Sequence, residues 1–143
     1  MLRLRKDVKK LILMIGNRIL LDTNIISAWL KGEKSLANKI DEAEDVYIPV
    51  VVLGELYYGA QYSTQIHTNI SNIEKLVARY DVLNTNSETA ALYGIIKASL
   101  RKKGKPIPEN DIWIASIARQ HNLTLVTRDR HFNEVDGIAT TKW

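Results

Sequence analysis

The sequence predicts an α/β fold: a single domain built on a mainly parallel sheet with helices over both faces. Two observations carry this expectation. Short apolar runs of strand length ("ILL" at 19–21, "VYIP" at 46–49, "LTLVT" at 123–127) are separated by longer stretches whose apolar residues recur at helical spacing. Strands that alternate with helices in this way bury a parallel sheet on both sides. The 143 residues, 45% of them hydrophobic, suffice for one compact core and leave little room for a second.

The elements follow in order. A strand is expected over 19–22, then a helix from near Asn24, with Thr23 or Asn24 as its cap. "SLANKIDEAE" reads as a second, short helix, and "VYIP" as a strand stopped by Pro49. Residues 50–63 read as a mostly buried helix. Ile66, Ile70, Ile73, Val77 and Tyr80 then mark an amphipathic one. "DVLN" at 81–84 is a short strand. Leu92, Ile95, Ile96 and Leu100 form the apolar stripe of a helix ending near Gly104, with Pro106 beyond it. "IPENDIWIASIARQHN" is a loop leading into a helix with Ile114, Ile117, Ala118 and His121 on one face. Residues 123–127 form a strand, and "GIATT" supplies the last one. The chain contains no internal repeat or low-complexity tract, and no run of about 18 apolar residues that would span a membrane.

Charge and cysteine content bound the function classes. The chain has no cysteine, which excludes disulfides, thiol catalysis and cysteine-based zinc sites and fits a cytoplasmic protein. The net charge of +4 is local. Residues 1–13, "MLRLRKDVKKLIL", hold five bases against Asp7, and the remaining 130 residues hold 15 bases and 15 acids. Residues 1–13 are therefore expected to be a basic leader, poorly ordered or not native, with Met14 as an alternative start. Residues 14–143 make the domain. A secretory signal is disfavoured by the short apolar part and by Asn17 and Arg18 just after it. A basic arm touching nucleic acid or a partner is the other reading.

Four acids stand out against their surroundings. Asp22 ends the first strand, where a cap or turn is the ordinary role for Asp. Glu55 is the only charge in "VVLGELYYGA" and shares a helical face with Tyr58 and Tyr62, so it calls for a partner. Asp111, in "PENDIWIA", suits an N-cap, as does Asn110. Asp129 follows "LTLVTR" and suits an Asx turn. Each alone is unremarkable. In a parallel sheet, however, strand ends and helix starts gather at one edge, where function collects. Four carboxylates brought together repel unless a divalent cation holds them, and oxygen ligands suit Mg²⁺ or Mn²⁺ rather than zinc. His67, His121 and His131 have no zinc-ligand spacing.

"ILLDTNIIS", "YIPVVVLGELYYGA", "GKPIPENDIWIASIARQHNLTLVTRDRHF" and "VDGIATTKW" together resemble a PIN-domain ribonuclease of the VapC toxin type, over Ile19 to Trp143. The resemblance implies a three-layer α/β/α fold and an acidic pocket made of Asp22, Glu55, Asp111 and Asp129. Thr23, Asn24 and Thr127 would support them. It implies Asp22 and Asp111 as principal metal ligands, with Glu55 and Asp129 completing the pocket. Asp129 is the one of the four that several relatives replace with Asn. Chemically, a divalent ion in that pocket lowers the pKa of a water for in-line attack on an RNA phosphodiester and neutralises charge in the transition state. The products usual in the family are a 5′-phosphate and a 3′-hydroxyl.

An acidic pocket repels RNA, so bases must hold the strand. Arg101, Lys102, Lys103 and Lys105 in "LRKKGKP", and Arg128 and Arg130 around Asp129, are the candidates. A solvated helix C-terminus favoured by the helix dipole explains the first group equally well. The resemblance also implies a homodimer and a small antitoxin whose tail covers the pocket. Tyr57, Tyr58 and Tyr62 suit such an interface or the core. Three alternatives stand beside the toxin. A phosphoacceptor or phosphatase-like Mg-binding domain shares strand-end Asp residues, but Asn24 stands where the dehalogenase pattern wants its second Asp. A non-catalytic RNA-binding module needs no metal, and an RNA-processing nuclease needs no antitoxin.

Overall fold

The computed structural model describes residues 17–143, and the basic leader at 1–13 lies outside them. Five strands form one sheet: β1 (Arg18–Leu21), β2 (Asp45–Pro49), β3 (Asp81–Leu83), β4 (Thr124–Val126) and β5 (Ala139–Thr141). Their order is β3-β2-β1-β4-β5 and every pairing is parallel. Six helices flank the sheet: α1 (Thr23–Leu30), α2 (Lys34–Glu42), α3 (Val50–Gln61), α4 (Ile66–Arg79), α5 (Ser87–Lys103) and α6 (Glu109–Gln120). A 3₁₀ turn spans Arg130–Glu134. The expected α/β architecture is thus observed, and no described helix is long and apolar enough to cross a membrane.

The central strands are buried on both faces, as a covered parallel sheet requires, while the edge strands β3 and β5 are partly exposed. Ile19, Leu20 and Leu21 of β1, Ile48 of β2, and Leu125 and Val126 of β4 are all essentially inaccessible. The order matters for the site. The chain leaves β1 for β2 and β3 on one side, then crosses back to β4 and β5 on the other. The sheet's direction of progress reverses between β1 and β4. In open α/β sheets the crevice beyond the carboxyl ends of two such strands is where ligands bind.

Several local expectations are corrected. The cap of α1 is Asp22 itself, not Thr23 or Asn24, which are already helical. Asp22 takes extended backbone angles and its Oδ1 accepts the Thr23 N–H at 2.8 Å. Helix α3 is only partly buried: Val52, Leu56 and Ala60 face the core, while Tyr58 and Tyr62 are 71% and 85% exposed. Those two tyrosines are therefore not core, and their rings stack on each other at 6.1 Å. In α4 the buried positions are Ile73 and Leu76, with Ile66 and Val77 at the margin. In α5 Ile95 points outward, and Ile96 and Leu100 carry the packing. Asp111 is not a cap: α6 starts after Pro108, so Asp111 lies inside its first turn.

Candidate active site

The loops leaving β1 and β4 meet beyond the carboxyl edge of the sheet. Pairing of β1 with β4 continues into the Asp22 N–H, which donates to the Val126 carbonyl at 3.0 Å. Asp22 therefore stands beside Thr127, and the Thr127 hydroxyl donates to Asp22 Oδ2 at 2.7 Å. Asn24, in the first turn of α1, donates from Nδ2 to the same oxygen at 3.3 Å, and its Oδ1 accepts the Arg128 N–H at 3.2 Å. One side-chain amide thus ties the start of α1 to the segment after β4. The three supporting residues expected from sequence all touch the acids: Thr23 donates from Oγ1 to Glu55 Oε2 at 2.8 Å. That bond is the partner the isolated glutamate of α3 demanded.

Asp129 caps the 3₁₀ turn, its Oδ1 accepting the His131 N–H at 3.1 Å, while its own N–H donates to the Thr127 hydroxyl at 3.0 Å. The Asx-turn role and the site role are compatible in this residue. Asp111 reaches the same place from α6. His131 Nδ1 lies 2.9 Å from Asp129 Oδ1 and 3.4 Å from Asp111 Oδ2. Among the described residues, Asp111, Asp129 and His131 are the group whose ligand atoms converge, all within 4.8 Å of one another.

The electrostatics report the crowding of the acids. Burial raises the Asp22 carboxyl above the ordinary aspartate range, against the hydrogen bonds from Thr127 and the Thr23 N–H. The charges of Glu55 and Asp129 push it further up. Asp111 is raised to about 6, first by burial, then by the charges of Asp22 and Asp129, with His131 opposing. Each acid stands in the field of at least one other. Such a cluster stores repulsion that a cation relieves, and its oxygen-rich donors fit a hard divalent ion.

The six bases proposed for RNA separate into two groups. Arg128 is engaged by the protein: its guanidinium pairs with Glu33 and donates from Nε to the Trp143 carbonyl at 2.8 Å. Lys103 is engaged as well, with Nζ at 2.8 Å from Asp136 Oδ1 and 3.0 Å from the Glu134 carbonyl. Arg101, Lys102, Lys105 and Arg130 are exposed, and no carboxylate among the described residues pairs with them. Beside Thr23 and Glu55 a groove of about 370 Å³ opens between α1, α3 and α4, with Leu56 and Ile73 in its wall.

Sequence reasoning passes over one residue here. His131 has no zinc-ligand spacing and draws no attention on that ground, yet it faces two of the acids. The available signal is Asp-x-His just past a strand, where a single tight turn brings the ring back over the aspartate.

Comparison with known proteins agrees with this geometry. A PIN domain family model matches residues 19–138. Ribonuclease VapC2 of Haemophilus influenzae is 37% identical over 129 residues, covering 88% of this chain and 98% of its own. The tRNA(fMet)-specific endonuclease VapC of Shigella flexneri is 34% identical over 130 residues, covering 88% of this chain and 98% of its own. Among solved structures, VapBC2 from Rickettsia felis bound to a promoter DNA fragment superposes with a TM-score of 0.82 at 29% identity, covering 87% of this chain and 98% of that one. VapBC-1 from nontypeable Haemophilus influenzae gives 0.81 at 30%, covering 87% and 97%. The chain belongs to the PIN domain family, among the VapC-type ribonucleases.

Proposed function

We propose that this protein is the toxin of a toxin–antitoxin pair, an endoribonuclease that hydrolyses RNA phosphodiester bonds with the help of Mg²⁺ or Mn²⁺. The observation that carries the reading is the gathering of Asp22, Glu55, Asp111 and Asp129 at the crevice between β1 and β4, with Asp22 and Asp111 both pushed upward. The ribonuclease names of its relatives disfavour the phosphoacceptor and non-catalytic alternatives. Asp22, Asp111 and Asp129 would hold the ion, with Glu55 beside them. When bound, the ion supplies an activated water and offsets negative charge at the phosphorus.

The chain's own residues have separate tasks. Thr127 and Asn24 fix Oδ2 of the Asp22 carboxylate, and the Thr23 N–H holds its Oδ1. Thr23 holds Glu55 in place across the gap between α1 and α3. Arg101, Lys102, Lys105 and Arg130 are the bases that remain for RNA phosphates. Thr23 and Glu55 also border the groove between α1, α3 and α4. That groove and the exposed Tyr58–Tyr62 pair support an antitoxin as the partner. The solved neighbours that are VapBC complexes support the same pairing. A homodimer in the cytoplasm is the assembly we propose.

The test is RNA cleavage by the purified protein with Mg²⁺, Mn²⁺ or chelator, with the product ends mapped. Cleavage should need the metal and leave 5′-phosphate and 3′-hydroxyl ends. Asp22→Asn should abolish it while the far-ultraviolet circular dichroism stays unchanged. Full cleavage by a folded Asp22→Asn protein would refute the assignment.

A further inference from the structure

Resting on the metal-dependent reading above, we infer that His131 is itself a ligand of the divalent ion, through Nδ1, and that its presence biases the site toward Mn²⁺ over Mg²⁺. Three donor atoms converge: His131 Nδ1, Asp129 Oδ1 at 2.9 Å from it, and Asp111 Oδ2 at 3.4 Å. Adjacent corners of an octahedron with metal–ligand bonds of about 2.1 Å lie roughly 3.0 Å apart. The two separations bracket that edge and the two carboxylate oxygens lie within 4.8 Å of each other, so a small ion can be gripped once the side chains draw in around it. A proton on Nδ1 can bond only one of the two carboxylates well. A divalent cation at the point of convergence serves all three donors.

The ring's position is built into the backbone. The 3₁₀ turn Arg130–Glu134 is anchored by Phe132, which is almost fully buried, and capped by Asp129, and of the two residues between them His131 sets its ring against Asp129 and Asp111. The other histidines lie elsewhere: His121 ends α6, ten residues after Asp111, and His67 is on α4. The bias follows from donor chemistry. Imidazole nitrogen is a natural ligand for first-row transition metals, whereas Mg²⁺ keeps to oxygen and water. A purely acidic pocket has no such preference built in.

Pulsed electron paramagnetic resonance of Mn²⁺ bound to the full-length protein, read for ¹⁴N electron spin-echo modulation, tests this directly. The wild-type protein and its His121→Ala variant should show imidazole nitrogen coupled to the manganese, and His131→Ala should lose it. In a binding titration His131→Ala should weaken Mn²⁺ by about tenfold or more, with a smaller loss for Mg²⁺ measured by competition. Manganese that binds the wild-type protein with no nitrogen coupling, or coupling that survives in His131→Ala, overturns the inference and leaves the nuclease reading standing. A wild-type protein that binds neither manganese nor magnesium overturns both.

Discussion

Asp22 does two jobs with different oxygens. Its Oδ1 caps α1, and its Oδ2 receives Thr127 and Asn24, so the ordinary role of a strand-end aspartate and the catalytic one proposed for it are compatible in one side chain. Asp111 carries the electrostatic strain more openly, because its one side-chain partner in the described structure, His131, stands at a long 3.4 Å. A carboxyl raised from 3.8 to about 6 binds more protons folded than unfolded between those values. The metal-free protein therefore loses stability as pH rises through that window, and the full penalty is present above it. Asp111→Asn should remove the penalty, stabilising the metal-free protein at pH 7.5 by about 1–2 kcal/mol, or roughly 3–8 °C in Tm. Near pH 4 the variant and the wild type should melt together. Adding Mn²⁺ should raise the wild-type Tm and raise the variant's much less. Calorimetry across pH, with and without metal, checks all three outcomes, and equal melting at pH 7.5 would remove the claim that the site is strained.

At the scale of elements, the α5–α6 pair shows what holds Asp111 in place. Asn86 caps α5, its Oδ1 accepting the Thr89 N–H at 3.1 Å and the Gln120 amide at 3.0 Å, and the Thr89 hydroxyl in turn accepts the Asn86 N–H at 3.0 Å. The cap thereby joins the start of α5 to the end of α6. At the other end, Tyr93 stacks on Trp113 at 4.2 Å, and Lys97 pairs with Glu109 at 2.6 Å. Asn86→Ala should cost about 1–2 kcal/mol, the usual cost of removing a cap and breaking a second bond with it. Because Asn86 is remote from the acids in the chain and its side chain bonds only within this helix pair, cleavage per folded molecule should stay near wild type. Urea unfolding and a cleavage assay on the same preparation separate the two effects. The end of α5 is legible from sequence, since Gly104 adopts φ 66° at the helix terminus as a glycine shortly before a proline suggests. Its start is not: "NTNSETA" offers several capping residues, and only the packing of α6 selects Asn86. The caps of α1 and α6 escape for a similar reason. Polar and proline residues crowd both starts, and which of them leaves the helix depends on the strand or loop before it.

Over the whole molecule, the sheet order is not written in the sequence, because alternating strands and helices fix that the sheet is parallel but not where the chain crosses back. The acids are legible because a charge at the end of an apolar run is a local signal. The bases proposed for RNA are less so, because what a lysine touches is decided by folds of chain that no spacing reveals. Lys103 and Arg128 look as eligible as their neighbours, yet each is held by a carboxylate and a carbonyl from elsewhere in the chain. From residue 14 onward bases and acids balance at 15 each, so no net field draws RNA to the domain, and attraction must be local. Arg101, Lys102 and Lys105 project from the end of α5, which Lys103 fastens to the segment just past the 3₁₀ turn that carries His131. A strand lying from that corner toward the acids would place successive phosphates on these bases. Removing one base from a single-strand phosphate should reduce the salt slope of log affinity by about 0.7. The triple variant Arg101→Ala, Lys102→Ala, Lys105→Ala in the full chain should therefore flatten the slope by up to roughly 2, with little change in Tm. Lys103→Ala should do the reverse, lowering Tm and leaving the slope alone. Measured against chelated wild-type protein, so that RNA binds without being cut, an unchanged slope in the triple variant would show that the strand leaves the crevice by another route.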